Sequence, residues 1–179
     1  MRAIIFLFVL VFAASCSTIQ VSYDYDKSTD FNKYKTYAYS DDVAKLPVSD
    51  LDRDRLTKAV DAEMSARGLS KSSNPDAWID LTLKTQEKIQ ATATSNGMGM
   101  YRGRYGYGGG FSTTSINYDQ YVEGTLFITL IDKPTEKVVW QGRGTKILDD
   151  KASPEKKEAN INYAVKSIFT KYPVKPVKK

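Results

Sequence analysis

The sequence contains no histidine and a single cysteine, Cys16, among its 179 residues. The absence of histidine removes the commonest general base, the usual nucleophilic triads and most zinc or haem ligand sets. An enzyme would have to rely on carboxylates, lysine or tyrosine. With one cysteine, no internal disulfide can form, and the hydrophobic core must stabilise the fold alone, which is feasible at this length. We therefore expect a non-enzymatic protein without a metal or cofactor.

Long apolar runs are also scarce, and the main one lies at the start of the chain. Arg2 precedes an apolar run over residues 3–12, and the small residues Ala13, Ala14 and Ser15 follow. This order is typical of a secretion signal, and roughly ten apolar residues are too few for a bilayer, which needs about 20. Residues 1–15 are predicted to be a signal peptide.

Cys16 follows these small residues directly, so Ala13-Ala14-Ser15-Cys16 resembles the lipobox of bacterial lipoproteins, with Ala13 where leucine is usual. We predict cleavage between Ser15 and Cys16, acylation of Cys16, and a short tether over residues 16–20. The alternative is an ordinary signal peptide cut near Ala14 or Ser15, which would leave a free thiol. Ser17 is not the aspartate that retains lipoproteins in the inner membrane of enteric bacteria. The expected location is therefore the periplasmic face of the outer membrane.

The charge is only mildly positive, at +5, and part of the excess lies at the C-terminus in Lys171, Lys175, Lys178 and Lys179. We expect residues 174–179 to be a solvated basic tail, with contact to anionic lipid headgroups as the alternative.

Hydrophobic periodicity predicts the secondary structure of one domain over residues 21–173. Two short strands, Val21–Tyr25 and Tyr34–Tyr39, come first and are possible neighbours in a sheet. A helix over Asp50–Arg67 has Ser49 as its N-cap, and a second helix begins at Ser153-Pro154. Further strands start near Ile79, Val122 and Val138. The fold class is α+β: an antiparallel sheet of about five strands with two amphipathic helices on one face, in the order β-β-α-β-β-β-α.

Residues 96–115 differ in composition from the rest, because they contain seven of the eleven glycines. We predict a Gly/Tyr-rich loop joining two long strands. No Gly-Lys-Ser/Thr ending is present, which excludes a phosphate-binding loop. Arginines among aromatics are typical of single-strand nucleic-acid binding, but a secreted location argues against that partner. A spacer and a protein-binding or membrane-binding loop remain open. The predicted contact residues are Tyr101, Arg102, Arg104, Tyr105, Tyr107 and Phe111.

Two pairs of adjacent acids, Asp41-Asp42 and Asp149-Asp150, flank predicted elements. Their spacing does not match a calcium loop, and we interpret them as solvated turns rather than a metal site.

Several short segments, taken in order, resemble the bacterial lipoprotein family of the domain of unknown function 4136 type. They are Val21–Asp26, Asp30–Tyr39, Pro75–Trp78, Gly124–Asp132, Val139–Gly142 and Tyr172-Pro173. Tyr39 stands where that family more often has tryptophan. The resemblance implies a cell-envelope lipoprotein without an assigned activity, in which Gly124 and Gly142 allow close backbone approach and Trp140 belongs to the core. It transfers no catalytic residue.

Two functions follow as hypotheses. The first is a lipid-anchored envelope lipoprotein that binds a protein or other envelope partner through its sheet face or its Gly/Tyr-rich loop. The alternative is a carrier that holds a small apolar ligand between the helices and the sheet.

Overall fold

The computed structural model describes residues 19–97, 112–149 and 151–177. Within these ranges the chain forms six strands and two α-helices. The strands are β1 (Gln20–Tyr25), β2 (Thr36–Tyr39), β3 (Ser70–Lys71), β4 (Ala77–Gly97), β5 (Ser112–Asp132) and β6 (Lys137–Ile147). The helices are α1 (Asp50–Ser65) and α2 (Pro154–Phe169), and short 3-10 helices cover Phe31–Lys33 and Asp41–Lys45. The α+β class is confirmed.

The sheet differs from the prediction in strand number and in direction. Its order is β1-β6-β5-β4-β2-β3, so β1 and β2 lie on opposite sides rather than side by side. β1, β6, β5 and β4 are antiparallel neighbours, but β2 pairs in parallel with both β4 and β3. The sheet is therefore mixed. β2 runs parallel to β4 because α1 lies between the two strands in sequence and forms the crossover that such a pair requires.

Both helices begin where their capping residues predict. The Ser49 hydroxyl accepts a hydrogen bond from the Asp52 amide, and Ser153 caps α2 in the same way, with Pro154 in the first turn. After α1 the chain reverses at Gly68, whose φ of 82° is a conformation that glycine adopts without strain. Cap chemistry is local, which explains why these boundaries are visible in the sequence.

The core lies between the two helices and one face of the sheet. Alternate residues of β4 and β5, such as Ile79, Leu81 and Ile128, point toward the helices and are at most 2% exposed. Trp140 of β6 packs against Phe169 and Tyr172 at the C-terminal end of α2, with ring centroids 5.6 and 5.0 Å away. Sequence alternation thus translates directly into one buried sheet face.

Two glycines of β6 let α2 approach the sheet closely. A Cβ at position 142 would lie 2.5 Å from Cγ2 of Ile168 and 2.7 Å from the Trp140 ring. A Cβ at position 144 would lie 3.0 Å from Cγ1 of Ile168, and 2.7 Å from Cδ1 of Ile19, which precedes β1. Real Cβ atoms do not make such contacts, so glycine is required for this helix position. The geometry agrees with the structural role expected for Gly142.

Candidate functional site

The residues that the sequence singled out for function lie outside the described part of the chain. Ser15 and Cys16 precede residue 19, and the six predicted contact residues of the Gly/Tyr-rich loop fall between Gly97 and Ser112. Cleavage, lipidation and contact by the loop therefore stay predictions. The ends of the predicted loop are ordered as strand, because β4 continues through Gly97 and β5 begins at Ser112. Thr113, Thr114 and Ile116 are β-branched, which favours this extension.

The strands that carry this loop extend far beyond the sheet. β6 pairs with β5 only as far as Glu123, and Leu148 donates one further hydrogen bond to the carbonyl of Val122. Beyond this point, the ten cross-strand pairs from Lys88↔Tyr121 to Gly97↔Ser112 have no other strand beside them among the described residues. At about 3.4 Å per residue these pairs extend roughly 30 Å. We call residues 88–97 and 112–121 the ribbon.

The ribbon has one apolar face and one polar face. Three large apolar side chains on the first face are strongly exposed: Ile89 at 66%, Ile116 at 54% and Tyr118 at 68%. Ala91 and Ala93 lie beside them, because Ala91 pairs with Tyr118 and Ala93 with Ile116. The second face carries one aromatic residue, Tyr121, beside the sheet, and otherwise the polar residues Lys88, Gln90, Thr92, Asn117 and Asp119. A ribbon of two strands is by itself only marginally stable in water. Soluble proteins rarely leave a contiguous apolar face exposed, so the exposed face of this ribbon is unusual.

A cavity of about 290 Å³ lies between the N-terminal halves of the two helices and the sheet. Its lining is mainly apolar and includes Ile19, Leu56, Leu83, Leu126, Leu148 and Ile161. Gly124 and Gly144 contribute bare backbone to the wall. The cavity thus occupies the position between helices and sheet in which the sequence hypothesis placed an apolar ligand.

Charged side chains also line this cavity, on the side nearest the N-terminus of α2. Asp52 pairs with Arg55 at 2.6 Å and Asp149 with Lys156 at 2.7 Å, so both acids are neutralised. Lys146 donates from Nζ to Oδ1 of Asn160 at 2.7 Å. Within the described ranges, neither Lys146 nor Lys157 has a carboxylate within 4.0 Å. Lys157 nevertheless acts electrostatically on Asp52, and Lys146 acts on Asp149. Two acids are therefore shared among four cations: Arg55, Lys146, Lys156 and Lys157.

The most deeply buried carboxylate, Asp132, serves the fold. It is 2% exposed, accepts a hydrogen bond from the Tyr34 hydroxyl at 2.9 Å, and pairs with Lys33 at 2.8 Å. Its other oxygen accepts from the amide and hydroxyl of Thr135 in the β5–β6 turn. Hydrogen bonds from Lys33 and Thr135 hold the pKa of Asp132 well below its ordinary 3.8, and burial raises that of Tyr34 to about 12.

Replacing Asp132 with asparagine is expected to lower the free energy of unfolding by about 2 kcal/mol at neutral pH, because charge-assisted hydrogen bonds are lost. Since the folded pKa lies below the unfolded one, this contribution is complete above the ordinary carboxyl pKa and disappears as the pH falls through the folded value. Urea unfolding measured from neutral to acid pH should show the variant and natural curves converging only in strong acid. Curves separated by the same amount at every pH would contradict this role.

Arg67 is a second buried charge, and its partners are also structural. Its guanidinium pairs with Glu63 and donates to the carbonyl oxygens of Phe169 and Val174, so it joins the end of α1 to the end of α2. The sequence did not single out Arg67, since a lone arginine near a helix end carries no signal of a distant carbonyl partner. The alternation of Ile89, Ala91 and Ala93 indicates a strand, but it does not show that the apolar face of this strand is exposed.

Across the described residues, no group of three or more acidic or cysteine side chains is arranged to hold a metal ion. None of the helices described is long and apolar enough to span a bilayer.

Comparison with known proteins gives a fold and a family. No curated protein matches the chain. A PDZ domain protein from Parabacteroides distasonis is similar in structure, with 14% identity and a TM-score of 0.48. The match covers 89% of this chain but only 37% of that protein, so the chain spans about a third of its length. A PelC dodecamer from Paraburkholderia phytofirmans has 11% identity and a TM-score of 0.50, over 86% of this chain and 95% of the PelC chain. These likenesses concern the fold alone.

The sequence pattern of the family described as "Domain of unknown function (DUF4136)" matches residues 21–174. These residues include both helices, the ribbon, β2 to β6, all of β1 except Gln20, and the cavity lining except Ile19. The chain belongs to the DUF4136 family.

Proposed function

We propose that this protein is a lipid-anchored lipoprotein of the cell envelope that binds a protein partner through the ribbon, without catalysing a reaction. The observation that carries the proposal is the exposed apolar face of Ile89, Ile116 and Tyr118. Burying such side chains against a partner is favourable by about 25 cal/mol per Å² of apolar surface. Among the described residues, no further strand lies along the outer edge of either ribbon strand, so a strand from a partner can add there.

A protein fits this surface better than a lipid headgroup does. The ribbon contains only two charged residues, Lys88 and Asp119, whose charges cancel. Attraction to an anionic membrane requires an excess of basic residues, which the ribbon lacks. Exposed tyrosine is enriched at protein interfaces, and the Gly/Tyr-rich loop that joins the two ribbon strands would supply more of it.

The anchor completes this proposal. Val21 already belongs to β1, so a lipid on Cys16 would be separated from the sheet by only a few residues, each of which reaches about 3.3 Å. The domain would then stay close to the membrane surface, and the ribbon would be its longest extension. The proposed location is the periplasmic face of the outer membrane.

Site-specific photo-crosslinking in cells tests the ribbon. A benzoylphenylalanine at position 118 is expected to give an adduct with one protein, because that side chain lies on the apolar face. The same residue at position 117 is the matched control, since Asn117 is its neighbour on the polar face. Adding Ile116→Lys should reduce the adduct at position 118 by about tenfold, which corresponds to the loss of one interface anchor. Equal adducts at positions 117 and 118, or none at either, would contradict a docking role.

A further inference from the structure

We propose that the cavity between the helices and the sheet binds a single-chain anionic amphiphile, a long-chain carboxylate. Its acyl chain would lie among the leucine and isoleucine side chains of the wall, and its carboxylate would be bound by Lys146 and Lys157. This site is separate from the ribbon and does not depend on any protein partner.

The size and lining of the cavity determine the apolar part of the ligand. Ligand pockets generally have volumes of about 300–1,000 Å³, and the cavity's 290 Å³ lies at the lower end of that range. One acyl chain fits such a volume better than a two-chain phospholipid does. Six large aliphatic residues supply the contact surface: Ile19, Leu56, Leu83, Leu126, Leu148 and Ile161.

Two glycines form part of the cavity wall and let neighbouring side chains pack directly on the backbone. Gly124 and Gly144 lie on β5 and β6, on the sheet face that packs under the helices. A Cβ at position 124 would lie 2.7 Å from Cδ2 of Leu148, and one at position 144 would contact both Ile19 and Ile168. The wall is therefore made of backbone at the two places where a side chain would push Leu148 and Ile19 away.

The charged residues that line the cavity determine which head group the bound amphiphile carries. Asp52 and Asp149 form ion pairs with Arg55 and Lys156, whereas Lys146 and Lys157 form no ion pair within 4.0 Å in the part of the chain that the structure describes. Lys157 is near Asp52 and Lys146 is near Asp149, so four cations share two acids and an added anion is attracted. Lys146 is held in place by Asn160, and both lysines are half-buried. A half-buried ammonium group gains more from an anion than an exposed one does, because screening by water is weaker. A carboxylate bound here would balance the positive charge of the two lysines, whereas a neutral head group would not.

The test uses the mature chain, residues 16–179, carrying Cys16→Ser, so that neither the signal peptide nor a lipid requires detergent, and titrates it calorimetrically with laurate and with dodecanol. Laurate is expected to bind saturably at one site. In the double variant Lys146→Gln/Lys157→Gln, laurate should bind about tenfold more weakly, since two charge-assisted contacts are lost, while dodecanol should change by less than about twofold. The matched control is Lys58→Gln/Lys166→Gln, which removes the same charge from exposed helix positions and should leave laurate binding unchanged.

A cavity-filling variant tests whether the acyl chain of the ligand lies in this cavity. Ala164 lines the cavity from α2, and Ala164→Phe is expected to abolish binding of both ligands. The lysine variants keep the test decisive if this variant fails to fold. The proposal is overturned if laurate does not bind, or if it binds the lysine variant and its control equally well.

A photoactivatable laurate distinguishes an added ligand from the protein's own lipid. With the natural chain in membranes, labelling is expected in peptides that cover residues 144–164. Labelling of the Cys16→Ser chain together with none of the natural chain would mean that the anchor's own acyl group fills the cavity. That result would overturn the proposal of a separate ligand.

Discussion

Replacing Cys16 with serine is expected to abolish incorporation of alkyne-palmitate into the protein and to reduce sharply the fraction of the protein that is recovered with the outer membrane. A serine hydroxyl is not a substrate for thioether lipidation, so no acyl chain would be attached. Each methylene buried in a bilayer contributes about 0.8 kcal/mol, and several chains together make anchoring effectively permanent. The measurement is in-gel fluorescence of the labelled protein, followed by separation of membrane and soluble fractions.

The matched control for this experiment is Ser17→Ala, which changes the next residue and leaves the cysteine in place. It should label as strongly as the natural chain. Alkyne-palmitate incorporation that persists in the Cys16→Ser protein would show that the lipid is attached elsewhere, and absence of incorporation in the natural chain would favour the ordinary signal peptide.

Replacing Trp140 with alanine is expected to lower the free energy of unfolding by about 3–5 kcal/mol. The indole is 1% exposed and lies between β6 and the end of α2, in contact with Phe169 and Tyr172. Removing it would leave a cavity that the surrounding rings cannot close, because Gly142 beside it contributes no side chain. Urea unfolding followed by circular dichroism measures the change without relying on tryptophan fluorescence.

The second tryptophan of the chain provides the control. Trp78 is half-buried on the sheet face away from the helices, with the Lys133 ammonium 5.9 Å from its ring. Trp78→Ala should lower the free energy of unfolding by no more than about 1.5 kcal/mol, because this variant loses less buried apolar surface than Trp140→Ala does. Similar losses for both variants would mean that the core is not concentrated between the helices and the sheet.

Local signals in the sequence predicted much of the fold. The capping residues Ser49 and Ser153 fixed both helix starts, and the alternation of Ile79, Leu81 and Leu83 identified the buried face of β4. Both kinds of signal depend on residues a few positions apart, so they do not depend on distant contacts in the folded chain.

Features that depend on distant contacts were not predictable in the same way. β3 has only two residues and no apolar pattern, and the parallel pairing of β2 follows from how α1 returns the chain to the sheet. The cavity requires Gly124 and Gly144 to face the helices at the level of Leu148. That alignment is a result of strand register, which a sequence pattern does not contain.

The ribbon and the cavity likewise combine features that local sequence signals predict with features that depend on distant contacts. Exposure of the ribbon depends on where β6 stops, at Ile147, and not on the ribbon's own residues. Its apolar alternation therefore predicted strands but not an uncovered surface. The positive excess at the cavity arises because Asp52 and Asp149 are each shared between two cations in the folded chain, which the sequence does not show.

The most direct test of the proposed lipid-anchored function is the mass of the mature N-terminal peptide from protein purified out of membranes. Lipid anchoring at Cys16 predicts a peptide that begins at this residue and carries the added mass of a diacylglyceryl group, with or without an amide-linked acyl chain. A peptide that begins at Cys16 or upstream of it, with an unmodified thiol, would contradict it.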